Sequence, residues 1–310
     1  MKFSSKVPLN IKKGTPVIDY LCARFTYHSR QEWEEALKSG KISIENKNVD
    51  CKFIVEPGCT IEYDAGEFDE PAANLEYRII YEDEWFIGID KPGNLLVHRA
   101  GRSFRNNLMY QLRFNNKPPF PDAHPTHRLD RDTSGVVLVA KNAQACALMN
   151  GAFAEQMVNK QYCAVVHGVA EKGMLIDAPI AKAHESAISY KFQVDSSGKN
   201  AVTEILDVVP VGEKFSLLTL KPHTGRTHQI RVHCAFTGHP IVGDKLYGQS
   251  EAEYLKWRDQ PSIPVSSMLF YRHALHCAAM ELVHPFDKKL LHIEAPLPQD
   301  LQELISSLSL

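Results

Sequence analysis

The stretch His127-Arg128-Leu129-Asp130-Arg131-Asp132-Thr133-Ser134-Gly135 runs directly into Val136-Val137-Leu138-Val139-Ala140-Lys141, and no other segment constrains the fold as much. A charged, turn-rich segment that opens an apolar β-type run places a carboxylate, Asp130, at the edge of a sheet. Arg128 and Arg131 flank it in sequence. Nearby guanidinium groups keep such an acid ionised, which suits a nucleophile or a general base.

The remaining periodicities give an α+β chain. Ser29-Arg30-Gln31-Glu32 is a capping-box sequence opening a helix with Trp33, Ala36 and Leu37 on one face, ending near Gly40. Ile42 and Ile44 alternate with polar residues, turn through Glu45-Asn46-Lys47-Asn48 and resume at Val49, a small hairpin. The acidic segment from Asp64 to Asn74 reads as a linker, and β-type runs follow at Tyr77 to Tyr81 and Phe86 to Asp90. Asn142 caps a helix whose core face is Ala145, Leu148, Met149, Ala152 and Phe153. Tyr162, Ala164 and Val166 share one face of a strand, with Cys163 and Val165 on the other. Strands at Val202 to Val209 and Phe215 to Leu220 feed the turn Lys221 to Gly225, and a helix runs from about Thr227 to Gly238. Ser250 to Ser267 reads as irregular. Strands outnumber helices without regular βαβ alternation, so the larger domain should hold a mixed, largely antiparallel sheet around a central cleft, behind a small α/β amino-terminal module. The expected boundaries are residues 1–70 and 75–310.

Composition narrows the class. Seven cysteines without a C-x-x-C pair argue for reduced, buried thiols. No apolar run is long enough to span a bilayer and the start lacks a signal core, so a cytoplasmic protein without membrane contact is expected. Glycine-rich nucleotide loops and H-E-x-x-H pairs are absent, and His223, His228 and His233 are not spaced to converge on a metal. No cofactor and no metal are expected. The net charge of −2 is low for a nucleic-acid binder, but Arg128, Arg131, Lys141, Lys160, Lys221, Arg226 and Arg231 gather around the motifs while acids concentrate between Glu56 and Glu84.

Four segments in order resemble the RluA-type pseudouridine synthases. They are His127 to Gly135, Lys160-Gln161-Tyr162, Thr224 to His233, and Gly238 to Asp244 with Tyr247-Gly248. Asp90-Lys91-Pro92-Gly93 and Arg272-His273-Ala274-Leu275-His276 fit the flanking family segments, so the resemblance runs from about Leu75 to Leu297. It implies that Asp130 is the catalytic carboxylate, that Tyr162 stacks on the target base and that Arg231 pairs with Asp130. Arg128, Arg131, Lys160, Arg226 and His228 are the expected RNA contacts, and the chain should act as a monomer on ribosomal or transfer RNA. Thr15 to Asp64 resembles the αL-type RNA-binding module, although Glu32, Glu34 and Glu35 make its second helix acidic.

That chemistry suits these residues. Isomerising uridine breaks N1–C1′, turns the uracil and joins C5 to C1′ with loss of the C5 proton. Nothing is added or removed overall, because N1 takes up a proton as C5 loses one, so an ionised carboxylate, a platform for the flipped base and a proton path suffice. The Tyr162 hydroxyl is one route for that proton. A glycosidase reading of Asp130 with Asp132 is weaker, because the turn at Thr133-Ser134-Gly135 breaks their common face. The alternative from another class is a non-catalytic RNA-binding or ribosome-assembly protein on the same fold.

Overall fold

A computed structural model of the chain describes residues 2–25, 28–64, 66, 70–259 and 268–309. They form two compact units, Met1–Ala72 with Arg99–Arg105, and Ala73–His98 with Asn106–Leu310. The Arg99–Arg105 excursion joins the smaller unit because the Glu70 carboxylate accepts the backbone N–H groups of Phe104, at 2.7 Å, and Arg105, at 2.8 Å.

In the smaller unit β1 (Lys2–Lys6), α1 (Val17–Arg24), α2 (Arg30–Lys38), β2 (Ile42–Ile44), β3 (Lys47–Asn48) and β4 (Thr60–Asp64) form a sheet of order β1-β4-β2-β3 with two helices. The capping box is complete: Ser29 Oγ accepts the Glu32 N–H and the Glu32 carboxylate accepts the Ser29 N–H. Trp33, Ala36 and Leu37 are buried. The hairpin turn is tighter than expected, because Glu45 and Asn46 both take positive φ (49° and 64°) and pairing resumes at Lys47. Of the expected linker, residues 65 and 67–69 lie outside the described residues.

The larger unit begins with β5 (Arg78–Glu82) and β6 (Phe86–Lys91), then α3 (Leu108–Tyr110), which continues into a π-helical turn at Gln111–Asn115. β7 (His124–Pro125), β8 (Ser134–Ala140), α4 (Ala143–Ala154), β9 (Asn159–His167), β10 (Leu175–Asp177), β11 (Ile180–Lys182) and β12 (Phe192–Val194) follow. β13 (Val202–Val211), β14 (Phe215–Pro222), α5 (Gln229–Phe236), α6 (Glu251–Asp259), β15 (Leu275–Val283), β16 (Leu290–Glu294) and α7 (Gln299–Leu308) complete it. The sheet runs β10-β13-β14-β9-β15-β8-β6-β5, with β16 paired to β15 and β7 to β8. Among the described pairings in this sheet, β8 with β15 is parallel and the others are antiparallel. This is the α+β class with a mixed, largely antiparallel sheet. Every residue of β8 is buried, so the apolar run at Val136 is the interior strand that its composition requires.

Three local expectations need correction. In α4, Ala145 and Met149 are fully buried, but Leu148 is 44% exposed and Phe153 turns toward the cleft. The buried stripe follows i, i+4 and is narrower than the five apolar residues suggested. The segment after Ser250 is helical, not irregular, as far as Asp259. Ser250 and Glu253 form a second capping-box pair through Ser250 N–H and Oγ, while residues 260–267 lie outside the described residues. α5 begins at Gln229, two residues later than expected, because His228 sits in the left-handed region at φ 58°. Among the described residues no helix is long and apolar enough to cross a membrane.

Candidate active site

Asp130 lies in the loop that enters β8, and buried groups hold the backbone of that loop. Lys91, 0% exposed, donates to the carbonyls of Pro92, Leu95 and Arg131 at 2.8, 2.9 and 3.1 Å. Arg272, 1% exposed, donates from Nη1 to the Asp132 carbonyl at 2.9 Å and is itself clamped by the Asp300 carboxylate at 2.7 and 2.9 Å. Thr133 meets His273 at 2.7 Å, and Ser134 meets His276 at 3.0 Å. Both flanking segments picked out in the sequence therefore brace the loop that carries Asp130. Gly135 has φ +106°, and a Cβ there would stand 2.1 Å from the Cys277 carbonyl oxygen. Only glycine lets β8 approach β15 this closely.

Arg231, the third residue of α5, joins two carboxylates. Its Nη1 donates to Asp130 Oδ2 at 2.8 Å, while Nε and Nη2 donate to the two oxygens of Asp244 at 2.7 and 2.9 Å. Asp244 has a fully buried side chain and also accepts the backbone N–H groups of Leu246 and Tyr247 at 3.0 and 3.1 Å. Burial works against charge at all three residues, and their mutual attraction prevails. Burial would raise the Asp130 carboxyl, but Arg231, then His228 and His273, bring it down to about 2. Asp244 is held below the ordinary carboxylate range by Arg231 against its burial, and Arg231 is raised by Asp244 and then Asp130 against its own. His228 and His273 are pushed down to about 4 by burial and by Arg231, so both are neutral at pH 7. The cluster then carries one cation and two anions.

Arg128, Asp130, Lys160, Tyr162, Arg226, His228 and Arg231 all line one cleft of about 460 Å³. Arg131 does not line it; its side chain is exposed and its carbonyl accepts from Leu95 and Lys91. Asp132 does not line the cleft either; its carboxylate lies 3.7 Å from the Lys245 ammonium, so Asp130 and Asp132 are not a pair of carboxylates facing one cleft. Tyr162, on β9, is buried with its hydroxyl against the Cys277 thiol, and burial first, then Cys277, raises its pKa well above the ordinary value. The phenol is therefore protonated at neutral pH. Lys160 has no described hydrogen-bond or carboxylate partner; its ammonium stands 5.7 Å from the Phe153 ring, and burial lowers its pKa.

Buried Gln229 builds the turn before α5. Its side-chain oxygen accepts from Thr224 Oγ1 at 2.7 Å and the Arg226 N–H at 3.0 Å, and its Nε2 donates to the Val202 carbonyl and Thr203, both at 2.9 Å. Arg226 lies on the cleft wall with Nε donating to the Asn200 carbonyl at 2.8 Å, so it braces the loop and keeps its other nitrogens at the mouth. The three histidines of this segment go separate ways: His223 to Glu204, His228 to Tyr247, and His233 to Thr203 and the Ala178 carbonyl. The seven thiols are free; Cys234 and Cys277 are buried and the other five only partly so.

A family model described as RNA pseudouridylate synthase matches residues 86–236, which span the Asp130 loop, Tyr162 and Arg231. The ribosomal large subunit pseudouridine synthase D of Zymomonas mobilis is 31% identical over 305 residues, covering 93% of this chain and 92% of its own. The chain belongs to the RNA pseudouridine synthases. The relative of the same description from Vibrio cholerae is 35% identical over 296 residues, 92% of this chain and 88% of its own. Among solved structures, human RNA pseudouridylate synthase domain containing 1 superposes with a TM-score of 0.57 at 27% identity, covering 77% of this chain and 97% of that one. The protein is thus an enzyme that isomerises uridine in RNA, and the purely RNA-binding alternative falls away. Asp244 and Gln229 lie within these motifs, but the sequence around them assigns neither a role. A carboxylate after Gly243, where an apolar stretch returns toward the sheet, was the available signal for Asp244.

Proposed function

We propose that this pseudouridine synthase acts on large-subunit ribosomal RNA, with Asp130 as the reacting carboxylate, Tyr162 as the platform for the flipped uracil and Arg231 as the holder of Asp130. The observation that carries the assignment is the 2.8 Å bond from Arg231 to Asp130 at the wall of the cleft that Tyr162 also lines. A carboxyl held at about 2 stays ionised when a base covers it and excludes water, which attack at C1′ and abstraction of a sugar proton both require. The cluster's net negative charge also favours the cationic character that develops at C1′ as N1 departs. Stacking on the Tyr162 ring contributes about 1–3 kcal/mol to holding an extruded base. Duplex RNA cannot present C1′ to Asp130, so the nucleotide enters flipped.

Lys160, Arg128 and Arg226 are the cations left for phosphates. Lys160 fits this role because it lines the cleft half-buried and has no described carboxylate partner, so an arriving phosphate meets an uncompensated cation. The ribosomal substrate is supported by the printed descriptions of the Zymomonas mobilis and Vibrio cholerae relatives. Mapping pseudouridines in ribosomal and transfer RNA from strains with and without the gene tests it. A site missing only from transfer RNA would overturn the substrate, and near wild-type pseudouridine formation by Asp130→Asn would overturn the mechanism.

A further inference from the structure

Two donors face the same oxygen of Asp130. Arg231 Nη1 lies 2.8 Å from Oδ2, and His228 Nε2 lies 3.8 Å from that atom. Among the described residues no hydrogen bond reaches Oδ1. The His228 ring is held from three directions: its own backbone is left-handed at φ 58° and ψ 16°, the Phe192 ring meets it edge-on at 5.8 Å, and the Tyr247 ring at 5.7 Å. A left-handed conformation costs a non-glycine residue free energy and persists where the surroundings impose it.

The other ring nitrogen, Nδ1, is 2.9 Å from the Tyr247 hydroxyl oxygen. That oxygen already accepts the Phe192 backbone N–H at 3.1 Å. The hydroxyl has one proton to donate, and Nδ1 is its described acceptor, so Nδ1 carries no proton and Nε2 does. We infer that Tyr247 is a positioning residue: it holds His228 as the Nε2–H tautomer, so that this N–H and Arg231 Nη1–H both face Oδ2 of Asp130 and leave Oδ1 to the substrate. His228 is neutral at pH 7, its pKa pushed down to about 4 by burial and Arg231, so it has one N–H and the tautomer decides where that donor points. The separation of 3.8 Å is longer than a hydrogen bond, as catalytic contacts commonly are before substrate is bound. This inference rests on Asp130 as the reacting group.

The test is nuclear magnetic resonance of the full-length enzyme labelled with 15N-histidine, with the His228 signals assigned by their loss in His228→Gln. The wild type should show a protonated Nε2 and a bare Nδ1, and Tyr247→Phe should move a substantial fraction to the Nδ1–H form. A wild-type enzyme with the proton on Nδ1 overturns the inference, whether or not the variant folds. Single-turnover rates give the second readout. Tyr247→Phe should cost about tenfold in the wild-type background, the effect of one neutral hydrogen bond. It should cost less than about twofold in a His228→Gln background, where the amide nitrogen stands in for Nε2 and no tautomer needs setting. Equal costs in the two backgrounds overturn it. The two failures are distinguishable, because an active Asp130→Asn would sink the assignment of Asp130 and leave the tautomer measurement untouched.

Discussion

Replacing Asp244 by asparagine isolates the energetic core of the site. The carboxylate accepts four hydrogen bonds, two from Arg231 and one each from Leu246 and Tyr247, with no exposed side-chain surface. Asparagine keeps one acceptor oxygen and turns an amide N–H toward the Arg231 Nε–H, so a buried guanidinium meets a donor where it had an anion. Breaking one partner of a buried pair costs about 3–5 kcal/mol. For a chain of this size each kcal/mol lowers the melting temperature by about 2–4 °C, so Asp244→Asn should melt roughly 6–20 °C below wild type. Asp130→Asn loses a single bond at a carboxylate that is 21% exposed, and leaves Arg231 still paired with Asp244. It should cost about 1–2 kcal/mol, roughly 2–8 °C. Calorimetry at pH 7 on the two variants and the parent measures both. An Asp244→Asn protein melting within about 2 °C of wild type, or Asp130→Asn proving the less stable of the two, would refute the view that Asp244 carries the Arg231 charge.

Lys160→Met should leave stability close to wild type, since the half-buried ammonium has no described carboxylate partner, yet weaken RNA binding and reduce the salt slope of affinity by about one. Filter binding at several salt concentrations checks this, and an unchanged slope would remove Lys160 from the phosphate contacts. Gly135→Ala should yield no folded enzyme at 25 °C, because the new Cβ falls 2.1 Å from the backbone oxygen of Cys277 at φ +106°; circular dichroism and solubility report the outcome. Stability should fall between pH 6.5 and about 4, where the unfolded chain protonates His228 and His273 while the folded chain, with both at about 4, does not. The Asp130 contribution is present above its unfolded pKa of about 4 and is lost only as pH falls toward 2. Melting temperatures that stay flat from pH 7 to 4.5 would contradict the buried neutral histidines.

Local chemistry made much of the architecture legible. The Ser29–Glu32 capping box, the Asn142 cap and the apolar run at Val136 are readable because each depends on residues within one turn or one strand. The Ser250–Glu253 pair is equally local, but its polar surroundings carry no apolar periodicity to mark a helix. Leu148 departs from its sequence pattern for a different reason. A helical face shows which residues line up, but whether the stripe is covered depends on the strand packed over it.

For the candidate site, the order and content of the segments around Asp130, Tyr162 and Arg231 were enough to name the residues and the family. Their partnerships were not in the string. Arg231 contacts Asp130 across 101 positions and Asp244 across 13, whereas Arg131 and Asp132, the two residues after Asp130 in sequence, do not line the cleft. A residue type and its neighbours set what a side chain is able to do. Which charge it meets, how far burial moves its pKa and which tautomer it adopts follow from strands and loops brought together from distant parts of the chain, because desolvation and hydrogen-bond geometry act over a few ångströms of space regardless of separation along the sequence.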